Sequence, residues 1–223
     1  MKKSFKGTVL VVLAAIAWGI SGVSGQFLMK QGISVYLLTS LRLLISGLLL
    51  IGVVIWQQPQ QIKAILEDKK VLAGIFGFSI CGLLLNQFSY LQAIHYTNAG
   101  TATVLQYMAP VLVLTVICFR DRSLPTMGEL TAILLAILGT FVIATHGQMG
   151  NLALSPVGLF WGLFSAVTYT LYMLLPIKLI QEWGSLLVIG LGMLLGGLVF
   201  SLSLSLGNTI LNFRQITCWL MLV

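Results

Sequence analysis

Thr103, Gln106, Tyr107 and Pro110 stand at i, i+3, i+4 and i+7, a spacing that puts a hydroxyl, an amide and a phenol along one face of an otherwise apolar helix. Pro110 also removes a backbone hydrogen bond and is expected to kink that helix. Asn86 and Tyr90 repeat the pattern at i and i+4, with Gln87 beside them, and Tyr169 and Tyr172 do so with Ser165 and Pro176 nearby. Trp18 and Ser21, followed by Gly25, offer a fourth set. The convergence of these groups predicts a polar cavity that takes a small amphipathic molecule. The competing expectation is that the same hydroxyls and amides only bond helix to helix.

Arg42 is the sharpest single residue. It sits seven residues into an apolar run that starts at Val35, roughly 10 Å below the membrane surface at about 1.5 Å per helical residue. A charge at such a depth costs on the order of 2.5–3.5 kcal/mol even on lenient scales, so something must solvate it. Two partners are expected. Its guanidinium meets a substrate carboxylate or a helix C-terminus from a water-filled cavity, or it snorkels outward or braces neighbouring carbonyls.

Other chemistry is hard to build from these residues. All five acidic residues, Glu67, Asp68, Asp121, Glu129 and Glu182, fall in connections or at their edges, so none serves as a deep carboxylate relay. His95 and His146 fall at helix ends, and Cys81, Cys118 and Cys218 lie far apart with no metal-ligand spacing. No nucleophile and base, carboxylate pair or ligand cluster falls within the apolar runs, so neither an enzyme nor a metal or cofactor site is expected. No phosphate-binding glycine loop is present either, which argues against direct ATP drive.

The elements that must carry these residues are apolar and long. The chain has 223 residues, of which 58% are hydrophobic and only 8% charged, too few charges to coat a water-soluble surface. Crossing a hydrocarbon core takes about 20 helical residues. Seven spans are predicted, at 8–29, 35–56, 71–94, 99–119, 127–145, 156–176 and 186–206. These runs are too long and too weakly alternating for barrel strands. The expected fold class is an all-α integral membrane protein, with the lipid bilayer as its solvent. Gln57 to Lys70 carries three lysines, Glu67 and Asp68, with Ile62, Ile65 and Leu66 at helical spacing among them, and reads as a short amphipathic turn on the membrane surface. Ser155-Pro156 supplies an N-cap and a first-turn proline for span six. Ser21 with Gly25, Gly158 with Gly162, and Gly192 with Gly196 permit close helix contacts, inside the bundle first and between two copies second.

The formal charge of +7 has a membrane explanation rather than a nucleic-acid one. With the N-terminus inside, Lys2, Lys3, Lys6, Lys63, Lys69, Lys70, Arg120, Arg122 and Lys178 fall on the cytoplasmic side, against Lys30 and Arg214 outside. Basic residues mark the cytoplasmic face, so a cell-membrane protein with a cytoplasmic N-terminus is expected. This orientation opposes that of a seven-helix receptor. The start also has the outline of a cleavable signal peptide, but its apolar run continues a full span past Ala17.

Sliding the chain against itself by 151 residues sets Ala15 on Ala166, Trp18 on Tyr169, Leu28 on Leu179 and Ser34 on Ser185, and brings Met193 near Arg42. Five helices separate the copies, and an odd number turns the second copy upside down in the membrane. The order of Ala17-Trp18-Gly19, Leu41-Arg42-Leu43-Leu44, the stretch Ala93 to Ala102 leading to Pro110, and Leu138-Gly139-Thr140-Phe141 resembles an EamA-type repeat of the drug/metabolite transporter superfamily. Phe160-Trp161-Gly162 and Ser165-Ala166 resemble the opening of a second one. The resemblance implies one five-helix repeat at 1–147, the first two helices of an inverted second repeat at 155–206, and an atypical tail at 207–223. Members usually have ten spans; here seven are expected, and the acidic residue common after span four is matched in charge by Asp121.

The resemblance further implies transport of a small-molecule substrate, an amphipathic metabolite such as an amino acid, or a drug, with export as its direction and alternating access as the mechanism. With only two helices of the second repeat, activity is expected to need a homodimer or a further C-terminal portion. A different class stays open: a membrane interaction protein, or an inactive fragment without transport.

Overall fold

A computed structural model describes residues 2–122, 124–145 and 154–206 of the chain. The described residues form helices in the order α1 (Lys2–Lys30), α2 (Val35–Gln57), α3 (Pro59–Glu67), α4 (Lys69–Phe78), a π-helical segment (Ser79–Leu84), α5 (Leu85–Tyr96), α6 (Ala99–Gln106), α7 (Ala109–Asp121), α8 (Met127–Thr145), α9 (Pro156–Leu174), α10 (Ile177–Trp183) and α11 (Ser185–Leu206). Six stretches are long and apolar enough to cross a membrane, and α8 supplies a shorter apolar one. The chain is an all-α membrane protein of about seven helices, as its hydropathy predicts. The expected tail at 207–223, the loop centred on Gly147 to Asn151, His146, Arg214 and Cys218 lie outside the described residues.

Local chemistry sets the element ends. Ser34 Oγ accepts the Leu37 N–H at 3.2 Å, Asn98 Oδ1 the Thr101 N–H at 2.8 Å, and Ser155 Oγ the Gly158 N–H at 3.1 Å, each satisfying a donor that a helix start leaves free. Thr126 and Glu129 form a reciprocal capping box: Thr126 N–H donates to Glu129 Oε2 at 2.6 Å, and Glu129 N–H to Thr126 Oγ1 at 3.3 Å. At the end of α1, Gly32 takes a positive φ of 92°, and the Gly32 and Ile33 N–H groups reach back to Met29 and Leu28. The amphipathic turn expected between spans one pair apart is α3, which buries Ile65 against Val54, Ile75 and Leu187 while Lys63 stays exposed.

Two spans depart from straight helices. Span four breaks one turn before its proline: Tyr107 N–H bonds back to the Thr103 and Val104 carbonyls, Met108 N–H to Leu105, and α7 begins at Ala109 with Pro110 in its first turn. The physical reason is that the proline ring clashes with the carbonyl four residues back and disfavours helical geometry just before it. Span three contains a π-helical segment that periodicity does not reveal. There Ser79 Oγ donates to the Gly192 carbonyl at 2.6 Å, tying span three to α11.

Packing is dominated by α2 against α11 and α5 against α9. A Cβ on Gly47 would lie 2.7 Å from the Leu194 backbone nitrogen, one on Gly197 3.0 Å from Leu44 N, and one on Gly190 3.1 Å from Leu50 Cβ. Rising numbers on α11 thus meet falling numbers on α2, so the two run antiparallel in close backbone contact. Ser89 and Thr168 share a hydrogen bond of 2.9 Å between α5 and α9. Of the predicted small-residue pairs, Gly158 faces Thr97, Gly162 faces Leu105, and Gly192 and Gly196 face Leu83 and Ser79, all within the bundle.

Candidate functional site

The polar faces of the spans meet at one cavity of about 270 Å³, lined by Trp18, Ser21, Arg42, Leu83, Asn86, Gln87, Tyr90, Gln106, Tyr169, Tyr172 and Met193. Its volume falls just under the ~300–1,000 Å³ typical of small-molecule sites. Each wall is positioned by contacts behind it. Gln26 Oε1 accepts the Ala99 N–H at 2.8 Å, which docks α1 on the start of α6. Tyr90 Oη lies 2.8 Å from Thr103 Oγ1, whose own proton goes to the Ala99 carbonyl at 2.7 Å, so Tyr90 is the donor of the pair. Gln106 Nε2 donates to Asn86 Oδ1 at 3.1 Å, both side chains being buried.

The aromatic wall is continuous. Trp18 meets Tyr169 edge to face at 6.0 Å between centroids, and Tyr169 stacks on Tyr172 at 5.7 Å. Across from it, Arg42 Nη2 donates to Ser21 Oγ at 2.8 Å. Among the described residues, Arg42 Nη1 is the one buried side-chain nitrogen or oxygen without a hydrogen-bond partner. The guanidinium braces a hydroxyl here rather than carbonyls, and its Nη1 is left over.

Eight of the eleven residues singled out from sequence line this cavity, and several of them, Ser21 with Arg42 and Asn86 with Gln106, also bond helix to helix. Thr103 stands one shell back, orienting Tyr90. Tyr107, 61% exposed, and Pro110, also exposed, do not line it. The four-residue face expected on span four assumes unbroken 3.6-residue periodicity, and the break at Tyr107 and Met108 ends it. Leu83, Gln87 and Met193 complete the lining. Gln87 was legible as an amide inside a span, and Met193 as the residue aligned near Arg42 at the 151-residue offset; Leu83 is delivered by the π segment and had no signal.

No group of His, Cys, Asp and Glu that could hold a metal ion occurs among the described residues. His95 is exposed and edge-on to Tyr96.

A helical bundle with a polar cavity fits many membrane proteins, and comparison decides among them. Residues 5–145 match the EamA-like transporter family, more than half of the chain. The chain belongs to the EamA-like transporter family. Over 200 residues it is 38% identical to the uncharacterized inner membrane transporter YicL of Salmonella typhimurium (strain LT2), covering 89% of this chain and 66% of that protein. It is 26% identical over 190 residues to an uncharacterized transporter of Clostridium kluyveri, covering 80% of this chain and 58% of that one. An uncharacterized transporter of Archaeoglobus fulgidus is 26% identical over 198 residues, covering 86% and 65%. The chain thus spans less than two thirds of the length of each of these curated relatives. No solved structure matches it. As an EamA-type member of the drug/metabolite transporter superfamily, it is a multi-pass protein of the cell membrane.

Proposed function

We propose that this EamA-like protein moves a small amphipathic metabolite, such as an amino acid, or a drug, across the cell membrane by alternating access, outward from a cytoplasmic N-terminal side. The observation that carries the reading is the cavity itself, where spans one, two, three, four and six bring hydrogen-bonding and aromatic side chains to one volume, with Met193 of span seven beside them. The membrane midplane is where transporters of repeat architecture bind substrate.

The repeat reading, 1–147 followed by 155–206, is supported by where the aligned residues fall. At the 151-residue offset, Trp18 pairs with Tyr169, Ser21 with Tyr172 and Arg42 with Met193, and all six line the cavity. The aligned helices α2 and α11 pack antiparallel, as copies related by an axis in the membrane plane would. Rocking of one repeat on the other would open the cavity alternately to each side. In that symmetry, the packing of span three on α9 has its mate at α1, whose Leu10 and Val11 are 66% and 69% exposed. Activity therefore calls for a partner there, a second copy in a homodimer or additional helices.

The test is flux of labelled amino acids and metabolites in proteoliposomes, with the full chain compared with Arg42→Ala and Gln106→Ala. Substrate-specific flux that either substitution abolishes is the expected result. No flux from folded protein would leave the non-transporting interaction protein as the better reading.

A further inference from the structure

We infer that the cavity selects compounds bearing a carboxylate-type anion, which pairs with the Arg42 guanidinium while the apolar part lies against Trp18, Tyr169 and Tyr172. The inference rests on the transporter reading above and deepens it to a substrate class.

Charge accounting comes first. Every other group lining the cavity is neutral: Ser21, Asn86, Gln87, Tyr90, Gln106, Tyr169 and Tyr172 carry hydroxyls and amides, and the rest is apolar. The acidic residues stand elsewhere. Asp68 caps α4, Glu129 caps α8, Asp121 pairs with Arg120 at 3.0 Å on the surface, and Glu67 and Glu182 are exposed near helix ends. That Arg120–Asp121 contact is the one ion pair among the described residues. A guanidinium does not shed its charge in a protein, and its burial in an apolar bundle is costly without an opposite charge. Among the described residues, Ser21 Oγ serves Nη2 and nothing serves Nη1.

Donor geometry comes second. The guanidinium is a planar fork suited to a two-oxygen acceptor. Two neighbouring donors are already engaged: the Tyr90 proton goes to Thr103 and a Gln106 amide proton to Asn86. Arg42 is the one lining group that meets an anion with a full positive charge. A cation entering the same low-dielectric volume meets an unscreened like charge. The aromatic wall then fits a ring or short apolar chain, and about 270 Å³ limits the ligand to one such body.

Binding of three near-isosteres to the purified full chain at neutral pH tests this: 3-phenylpropanoate, 3-phenylpropanamide and 3-phenylpropylammonium, by titration calorimetry. The expected order is acid over amide by about tenfold or more, with the ammonium weakest, since hydrogen bonds to charged groups are the stronger class. Arg42→Gln is expected to bring acid and amide within about twofold of each other, largely by weakening the acid. Equal binding of acid and amide by the unsubstituted chain, a preference that persists in folded Arg42→Gln, or tightest binding of the ammonium overturns the anion preference while leaving the transporter reading standing. Failure of all three to bind overturns both for ligands of this size. The comparison in the unsubstituted chain decides the matter even where Arg42→Gln does not fold.

Discussion

Trp18 and Tyr169, 151 residues apart in sequence, meet edge to face with ring centroids 6.0 Å apart and planes inclined at 66°. The contact joins the first span to the sixth at the wall of the cavity, and it joins two positions that the self-alignment of the chain superimposes. Symmetry-related residues meet each other where a pseudo-two-fold axis passes close by. The antiparallel approach of Gly47 to Leu194 and of Gly197 to Leu44 has the same origin under the inverted-repeat reading. The cavity thus sits where the two copies would move against one another.

Truncation of this aromatic pair is expected to be non-additive. Edge-to-face rings are worth about 0.5–1.5 kcal/mol beyond the area they bury, and contacting residues couple by about that much in a double-mutant cycle. Trp18→Ala and Tyr169→Ala, alone and together, should therefore show a coupling in unfolding free energy within that range. A coupling of zero within error would mean that the rings do not pack in solution as described.

The α2–α11 contact makes a sharper prediction about stability. Gly47→Ala puts a methyl 2.7 Å from a backbone nitrogen that cannot rotate away, whereas Gly52 on the same helix has nothing within 4 Å. Gly47→Ala should cost about 1–3 kcal/mol through overpacking, while Gly52→Ala should stabilise by roughly 0.5–1 kcal/mol through helix propensity. Denaturant unfolding of the two variants in one detergent reads the difference, and equal effects would contradict the close backbone approach.

Much of this arrangement was legible in sequence, because lipid imposes a simple rule: an apolar run of sufficient length must be a helix that satisfies its own backbone. The spans, the short α3, the Ser155 cap and the convergence of Trp18, Arg42, Asn86 and Tyr169 follow from that rule and from helical spacing. What escaped depends on phase. The π turn at Ser79–Leu84 rotates everything after it, and the break ahead of Pro110 turns Tyr107 outward, so a face counted at 3.6 residues per turn fails across either site. The pairing of Arg42 with Ser21 was not legible either, because the two lie on different spans and spacing along one helix does not report contacts between helices.

The amide pair in the cavity should resist being halved. Gln106 is 2% exposed and Asn86 8%, and their hydrogen bond of 3.1 Å satisfies one atom on each. Gln106→Leu leaves the Asn86 carbonyl without its donor at a cost of about 1–3 kcal/mol. Adding Asn86→Leu should recover part of that loss, since replacing both partners removes the unsatisfied group. Thermal unfolding of the two single variants and the double variant checks this; a double variant less stable than the sum of the singles would refute it.

Orientation gives the last prediction. Nine basic residues are assigned to one side and two to the other, with the side chains of Lys63 and Lys30 both exposed and on opposite sides by span count. Under the positive-inside rule the Lys63 side is cytoplasmic. In a background with Cys81, Cys118 and Cys218 replaced by serine, Lys30→Cys should react with a membrane-impermeant maleimide on intact cells, and Lys63→Cys only after permeabilisation. Loops this short cannot cross the bilayer, so the two sites must answer oppositely if span one crosses once and span two returns. Labelling of Lys63→Cys on intact cells with protection of Lys30→Cys would put the N-terminus outside, and would reverse the direction in which Arg42 approaches the cavity from the surface nearest Val35.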